Sequence, residues 1–93
     1  MDEENQAIRG MSRAAQADAL LRNELLTGAF DYIDNELIAQ WRNCKTSEGR
    51  DRIWQATQIA ARVKEILRLH IENGKVAKSV LNDLEGKRSR AAA

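Results

Sequence analysis

The sequence lacks proline altogether, and among its 93 residues it has only five glycines and four aromatic side chains. The β-branched and aromatic residues that favour strands are scarce, whereas alanine, leucine, glutamate, glutamine and arginine, which favour helices, are abundant. We therefore predict an all-α fold. A chain this short forms one small domain, and a bundle of two or three helices gains stability from a partner subunit.

The sequence also has little of the chemistry that catalysis needs. Cys44 is the only cysteine and His70 the only histidine, so there is no internal disulfide and no cysteine pair to hold a metal. No nucleophile motif and no phosphate-binding glycine loop occurs. We expect no enzymatic activity, no metal and no cofactor.

Long apolar runs are absent as well. The longest stretch without a charge, IWQATQIAA, covers residues 53–61, whereas a membrane-spanning helix needs about 20 apolar residues. The first ten residues, MDEENQAIRG, are acidic and polar, which is the opposite of a signal peptide. The protein is expected to be neither secreted nor bound to a membrane.

The charges divide along the chain. Residues 18–36 hold five acids and one base, and residues 42–78 hold nine bases and four acids. We predict a flexible acidic arm at residues 1–10, a single helical domain at 11–86 and a flexible basic tail at 87–93. The cations of the tail are candidates for contact with nucleic acid: Lys87, Arg88 and Arg90.

Two apolar patterns indicate long helices. The first steps by three and four residues along one helical face: Leu26, Phe30, Ile33, Leu37, Trp41 and Cys44. Gly28 lies inside it, and either allows a close backbone approach or divides a first helix, at about residues 12–26, from a second. The second pattern has heptad spacing: Ile53, Ala56, Ala60, Val63, Leu67, His70 and Gly74.

Turn signals limit the second helix at both ends. The polar stretch RNCKTSEGR separates the two patterns, and Thr46 or Ser47 is expected to cap the helix that follows. Asn73 and Gly74 form a natural C-terminal stop. A short third helix is expected beyond them, with an apolar side formed by Val76, Ala77, Val80, Leu81 and Leu84.

A short turn makes the two long helices antiparallel neighbours, and facing residues then have numbers that sum to about 95. This register places Asp31 near Lys64 and Asp34 near Arg62. The acids of AFDYIDNELIAQW at residues 29–41 are thus predicted to pair with bases rather than to bind a metal. We predict an antiparallel helical hairpin with a coiled-coil-like seam, short helices at both ends, and a bundle completed by oligomerisation.

Four large side chains are candidates for an interface. Ile59 and Ile66 stand beside the heptad seam, so a two-helix hairpin does not cover them. Trp41 and Trp54 bracket the turn, and exposed tryptophan is common in binding hot spots. The seam residues are expected inside the hairpin: Ile53, Ala60, Val63 and Leu67. We expect a homo-oligomer.

Two runs of the sequence, LLRNELLTGAFDYIDNELIAQWRN and GRDRIWQATQIAARVKEILRLHIENGKVA, resemble a family of small all-helical proteins of tailed bacteriophages. Members often lie among the head and tail assembly genes. The resemblance covers roughly residues 19–77 and rests on packing and turn features. It implies a phage origin, a virion or host-cytoplasm location, and no active site.

Three functions are consistent with these features. The leading hypothesis is a phage virion or virion-assembly protein that acts through protein–protein contacts, with itself or with other phage structural proteins. The second is a small regulator or inhibitor, of the anti-defence type, that binds a host protein complex. The third is a DNA-packaging accessory that uses the basic tail.

Overall fold

The computed structural model describes residues 2–92, which form three α-helices and no strand. Helix α1 is Asp2–Arg22, α2 is Glu24–Asn43 and α3 is Ser47–Ala92. The predicted all-α class is confirmed. Contacts group the chain into two compact units, Met1–Ala19 with Leu67–Ala93, and Leu20–Ile66. The boundaries predicted for a single domain at 11–86 stay a prediction, and the two units are described in turn.

The first unit begins where a loose arm was predicted at residues 1–10. That prediction is wrong for residues 2–10, which are helical, while Met1 lies outside the described residues. Two features explain the helix. Asp2, Glu3 and Glu4 place negative charge in its first turn, which favours a helix N-terminus. Ala7 is also buried, and so small a side chain adds little to an apolar pattern.

Small residues allow α1 and the C-terminal half of α3 to approach closely within this unit. Ala7, Ala17 and Ala77 are buried, and a Cβ added at Gly10 would lie 3.2 Å from the Cβ of Ala77. A Cβ added at Gly74 would overlap the Cβ of Ala14. Gly74 therefore serves the packing between the helices.

The predicted helix stop at Asn73 and Gly74 is wrong, because α3 continues through both residues to Ala92. A glycine cap needs a positive φ, and no described residue has one. The expected short third helix and the basic tail at residues 87–92 are accordingly part of α3. Ala93 lies outside the described residues.

The break between α1 and α2 lies at Asn23 rather than at Gly28. The extended Asn23 accepts a hydrogen bond at its Oδ1 from the backbone N–H of Leu26, at 3.0 Å. This satisfies one of the free N–H groups at the start of α2. Gly28 is exposed inside α2 with nothing near its missing Cβ, so it neither breaks a helix nor permits a close approach.

Replacing Asn23 by alanine is expected to lower the free energy of unfolding by about 0.5–2 kcal/mol, because the start of α2 loses its side-chain cap. The change is measured by urea unfolding followed by circular dichroism. The matched control is Asn35→Ala, which removes an exposed asparagine from the middle of the same helix. Equal losses for the two variants would show that the cap contributes nothing.

The linker between α2 and α3, in the second unit, is held by local hydrogen bonds. Of the two predicted caps, Thr46 is the one used: its Oγ1 accepts from the N–H of Gly49 at 3.1 Å. The Nε of Arg50 donates to the carbonyl of Cys44 at 2.9 Å. The guanidinium of Arg50 also lies 4.5 Å from the ring centroid of Trp41, which joins the end of α2 to the start of α3.

Further along, Lys64 connects the two helices of the second unit. Its Nζ lies 3.1 Å from Oδ2 of Asp34 and 5.3 Å from the ring centroid of Phe30. The predicted pairs Asp31–Lys64 and Asp34–Arg62 are therefore wrong in detail. Lys64 pairs three residues further along α2 than predicted, and Arg62 forms an ion pair with Glu65 in its own helix, at 3.3 Å.

The core of both units is made of small side chains. Among the described residues the buried apolar side chains are alanines, and no large side chain is fully buried. They are Ala7, Ala17, Ala60 and Ala77. Of the predicted seam, Ala60 is buried and Ile53 and Leu67 are half-buried, but Val63 is exposed. Lys64 takes the inward position that the heptad spacing assigned to Val63.

Candidate protein interface

One face of α3 presents three large aliphatic side chains to solvent. Ile59 is 67% exposed, Val63 44% and Ile66 42%. Their spacing of four and three residues places them in one continuous stripe, here called the Ile59 face. Ile59 and Ile66 were predicted at such a surface, and Val63 lies between them. The exposure of Val63 was not predicted, because the heptad spacing placed Val63 inside the hairpin. The residue that faces inward is the next one, Lys64.

The edge of the Ile59 face carries one charge of each sign. Arg62 and Glu65 form an ion pair at 3.3 Å, and both side chains are 59% exposed. Together with Ile59 and Val63 they line a shallow depression of about 450 Å³. An exposed pair of this kind contributes about 0–1 kcal/mol. Its main effect is to leave this edge of the apolar face without net charge.

A second apolar surface lies between α2 and α3, next to the linker. Trp41 is 45% exposed and Trp54 60%, and both line a groove of about 310 Å³. The rest of its lining is mainly apolar: Leu37, Ile38, Arg42, Ile53 and Thr57. The structure thus brings the two predicted tryptophans together. Ile38 was missed because it lies outside the apolar spacing of α2.

The predicted nucleic-acid residues lie in the last turns of α3. Arg88 forms an ion pair and hydrogen bond with Glu4 of α1, so part of its charge is already neutralised within the first unit. Lys87 and Arg90 are exposed. The hydrogen bond from Arg88 holds the pKa of Glu4 below its usual value and raises the pKa of Arg88.

The lowered pKa of Glu4 predicts a loss of stability in acid. Because the folded pKa is below the unfolded value of about 4.5, the stabilisation is fully present above that pH and disappears as pH falls through the folded pKa. Glu4→Gln should therefore lower stability at pH 7 and weaken its dependence on pH below about 4.5. Urea midpoints across this pH range measure the effect.

The matched control is Glu3→Gln, which neutralises the neighbouring exposed carboxylate of the same helical turn. It should leave the acid-side dependence close to that of the unmodified chain. If Glu4→Gln and Glu3→Gln give the same pH profile, the ion pair of Glu4 with Arg88 does not contribute to folding.

The candidates for metal or nucleophile chemistry are not brought together. Within residues 2–92, no group of three or more histidine, cysteine or acidic side chains could hold a metal ion. The thiol of Cys44 lies 3.6 Å from the carbonyl oxygen of Thr46 and 3.8 Å from its hydroxyl.

None of the helices within residues 2–92 has an apolar stretch long enough to cross a membrane.

Comparisons with known protein families, with curated proteins and with solved structures found no match to this chain. The resemblance to helical phage proteins therefore stays a prediction from the sequence.

Proposed function

We propose that this chain is a non-enzymatic phage virion or virion-assembly protein that acts through helix-mediated protein–protein contacts. The observation that supports contact formation is the exposure of large apolar side chains on α3 and in the tryptophan groove. Contiguous apolar surface of this kind marks interaction sites in soluble proteins. The phage context is supported by the sequence resemblance, and its location is the virion or the host cytoplasm.

The proposal includes an antiparallel hairpin of α2 and α3, completed into a bundle by oligomerisation. Support comes from the order of the contacts: Trp41 late in α2 meets Arg50 early in α3, and Asp34 earlier in α2 meets Lys64 later in α3. The small side chains of the core support the second part of the proposal, which is completion of the bundle by oligomerisation. Fully burying a large aliphatic side chain contributes about 1.5–3 kcal/mol, and the described residues include no such side chain.

Detection in purified particles tests the virion assignment. Particles released from the host that carries the gene are banded by density, stripped of loosely bound protein with salt, and digested for mass spectrometry. The proposal expects peptides of this chain in constant proportion to a major capsid protein across the band. Presence in the lysate and absence from particles would contradict packaging, and would favour the regulator or inhibitor of a host protein complex.

A DNA-packaging accessory is the second candidate, and the exposed Lys87 and Arg90 at the end of α3 favour it. The pairing of Arg88 with Glu4 reduces the charge available for phosphate. Binding to duplex DNA that weakens with salt, and that is lost on removing residues 87–93, would support this candidate. Binding retained by the truncated chain would exclude the tail as its cause.

A further inference from the structure

We propose that a second copy of this chain covers the Ile59 face, with the two α3 helices antiparallel across a two-fold axis near Val63. This inference rests on the proposed function, since it names the partner of one contact surface. Three observations carry it: the spacing of the face, the charges at its edge, and its open shape.

The spacing makes the face self-complementary. Ile59 and Ile66 lie on either side of a midpoint next to Val63, so an antiparallel copy places Ile59 opposite Ile66 of the other copy. Val63 then lies close to its own equivalent at the axis. A two-fold interface requires this property, because each residue must meet a residue of the same surface. The three aliphatic side chains would all be covered at once.

The charges at the edge also match across such an axis. In antiparallel helix pairs, residues on one flank of a helix face the same flank of its partner. Arg62 lies within reach of Glu65 from the other copy, and Glu65 within reach of Arg62. The two ion pairs now formed within the helices, one in each copy at 3.3 Å, can therefore be exchanged for two pairs between copies. In a parallel pair the opposite flanks face each other, so Arg62 and Glu65 of the two copies would not meet.

The open shape of the face decides for a second copy over a small ligand. The depression beside the face is open and shallow, and its lining comes from one helix. Such a surface does not enclose a small molecule, since ligand sites bury most of the ligand.

Replacing both isoleucines by glutamate tests the face. Ile59→Glu/Ile66→Glu should convert a particle of twice the 10.5 kDa chain mass into a single chain by light scattering, with helicity retained. The control is Leu25→Glu/Val76→Glu, which makes the same charge change at two other exposed aliphatic residues and should leave the dimer intact. A dimer that survives the first substitution overturns the proposal.

Single cysteines test the antiparallel arrangement even if the glutamate variant fails to fold. Cys44→Ser removes the native thiol, and mild oxidation then follows. Val63→Cys should cross-link to its equivalent. Ile59→Cys should not cross-link alone, because its equivalent lies about 10 Å away along the axis and a disulfide needs Cα atoms within about 7 Å. Ile59→Cys mixed with Ile66→Cys should cross-link. Arg68→Cys, about 180° around α3 from Ile59, is the negative control.

Other outcomes have definite meanings. Cross-linking of Ile59→Cys alone would indicate parallel helices and overturn the arrangement. A chain that stays monomeric at all concentrations overturns the second copy altogether. If such a monomer is still found in particles, this inference and the oligomerisation part of the proposed function fail, and the virion assignment stands. If the chain is a dimer but is absent from particles, the virion assignment fails and this inference stands.

Discussion

Replacing Gly74 by alanine is expected to lower the free energy of unfolding by about 1–3 kcal/mol, the usual loss when a packed interior is overfilled. An added Cβ would overlap the Cβ of Ala14 and approach the backbone carbonyl of Gly10 at 3.6 Å. A Cβ is fixed to the backbone and cannot rotate away. The two helices must therefore move apart, and the small contacts between them are lost.

Two further variants isolate this packing effect from the effect of glycine on helix formation. Gly28→Ala adds a methyl group to an exposed position with nothing nearby, so stability should rise by about 0.5–1 kcal/mol. Ala14→Gly introduced with Gly74→Ala moves the space to the opposite helix and should recover part of the loss. Urea unfolding at equal chain concentration measures all three. A Gly74→Ala chain as stable as Gly28→Ala would contradict the close approach.

The melting temperature is expected to rise with chain concentration, because folding and association are coupled when a second copy covers the Ile59 face. For a folded dimer, a tenfold increase in concentration should raise the midpoint by about 4 °C. Thermal unfolding by circular dichroism over a hundredfold range of concentration measures it. The Ile59→Glu/Ile66→Glu chain should melt at a lower temperature that does not change with concentration. A constant midpoint for the unmodified chain would contradict the coupling.

The sequence predicted what depends on local signals. Helix-forming composition predicted the all-α class, and the polar stretch after Trp41 predicted the linker and a cap at Thr46 or Ser47, of which Thr46 is used. The exposed positions of Ile59 and Ile66 followed from their place beside the heptad seam.

Features that depend on contacts between segments far apart in the sequence could not be predicted from local signals. Gly74 has the sequence signature of a helix stop, and its role depends on the approach of Ala14, sixty residues earlier. The first ten residues lack an apolar repeat, because Ala7 and Gly10 pack through small size. Lys64 pairs with Asp34 and not with Asp31, and Arg62 pairs with Glu65 within its own helix, a partner that pairing by turn position ignores.

Sedimentation equilibrium of the unmodified chain tests most directly the central claim, that the exposed face of α3 is an association surface. The mass is measured across a wide range of micromolar concentrations at physiological salt. The account predicts a mass that rises to twice the 10.5 kDa of a single chain. A mass of 10.5 kDa at every concentration, with the helices intact by circular dichroism, would contradict it.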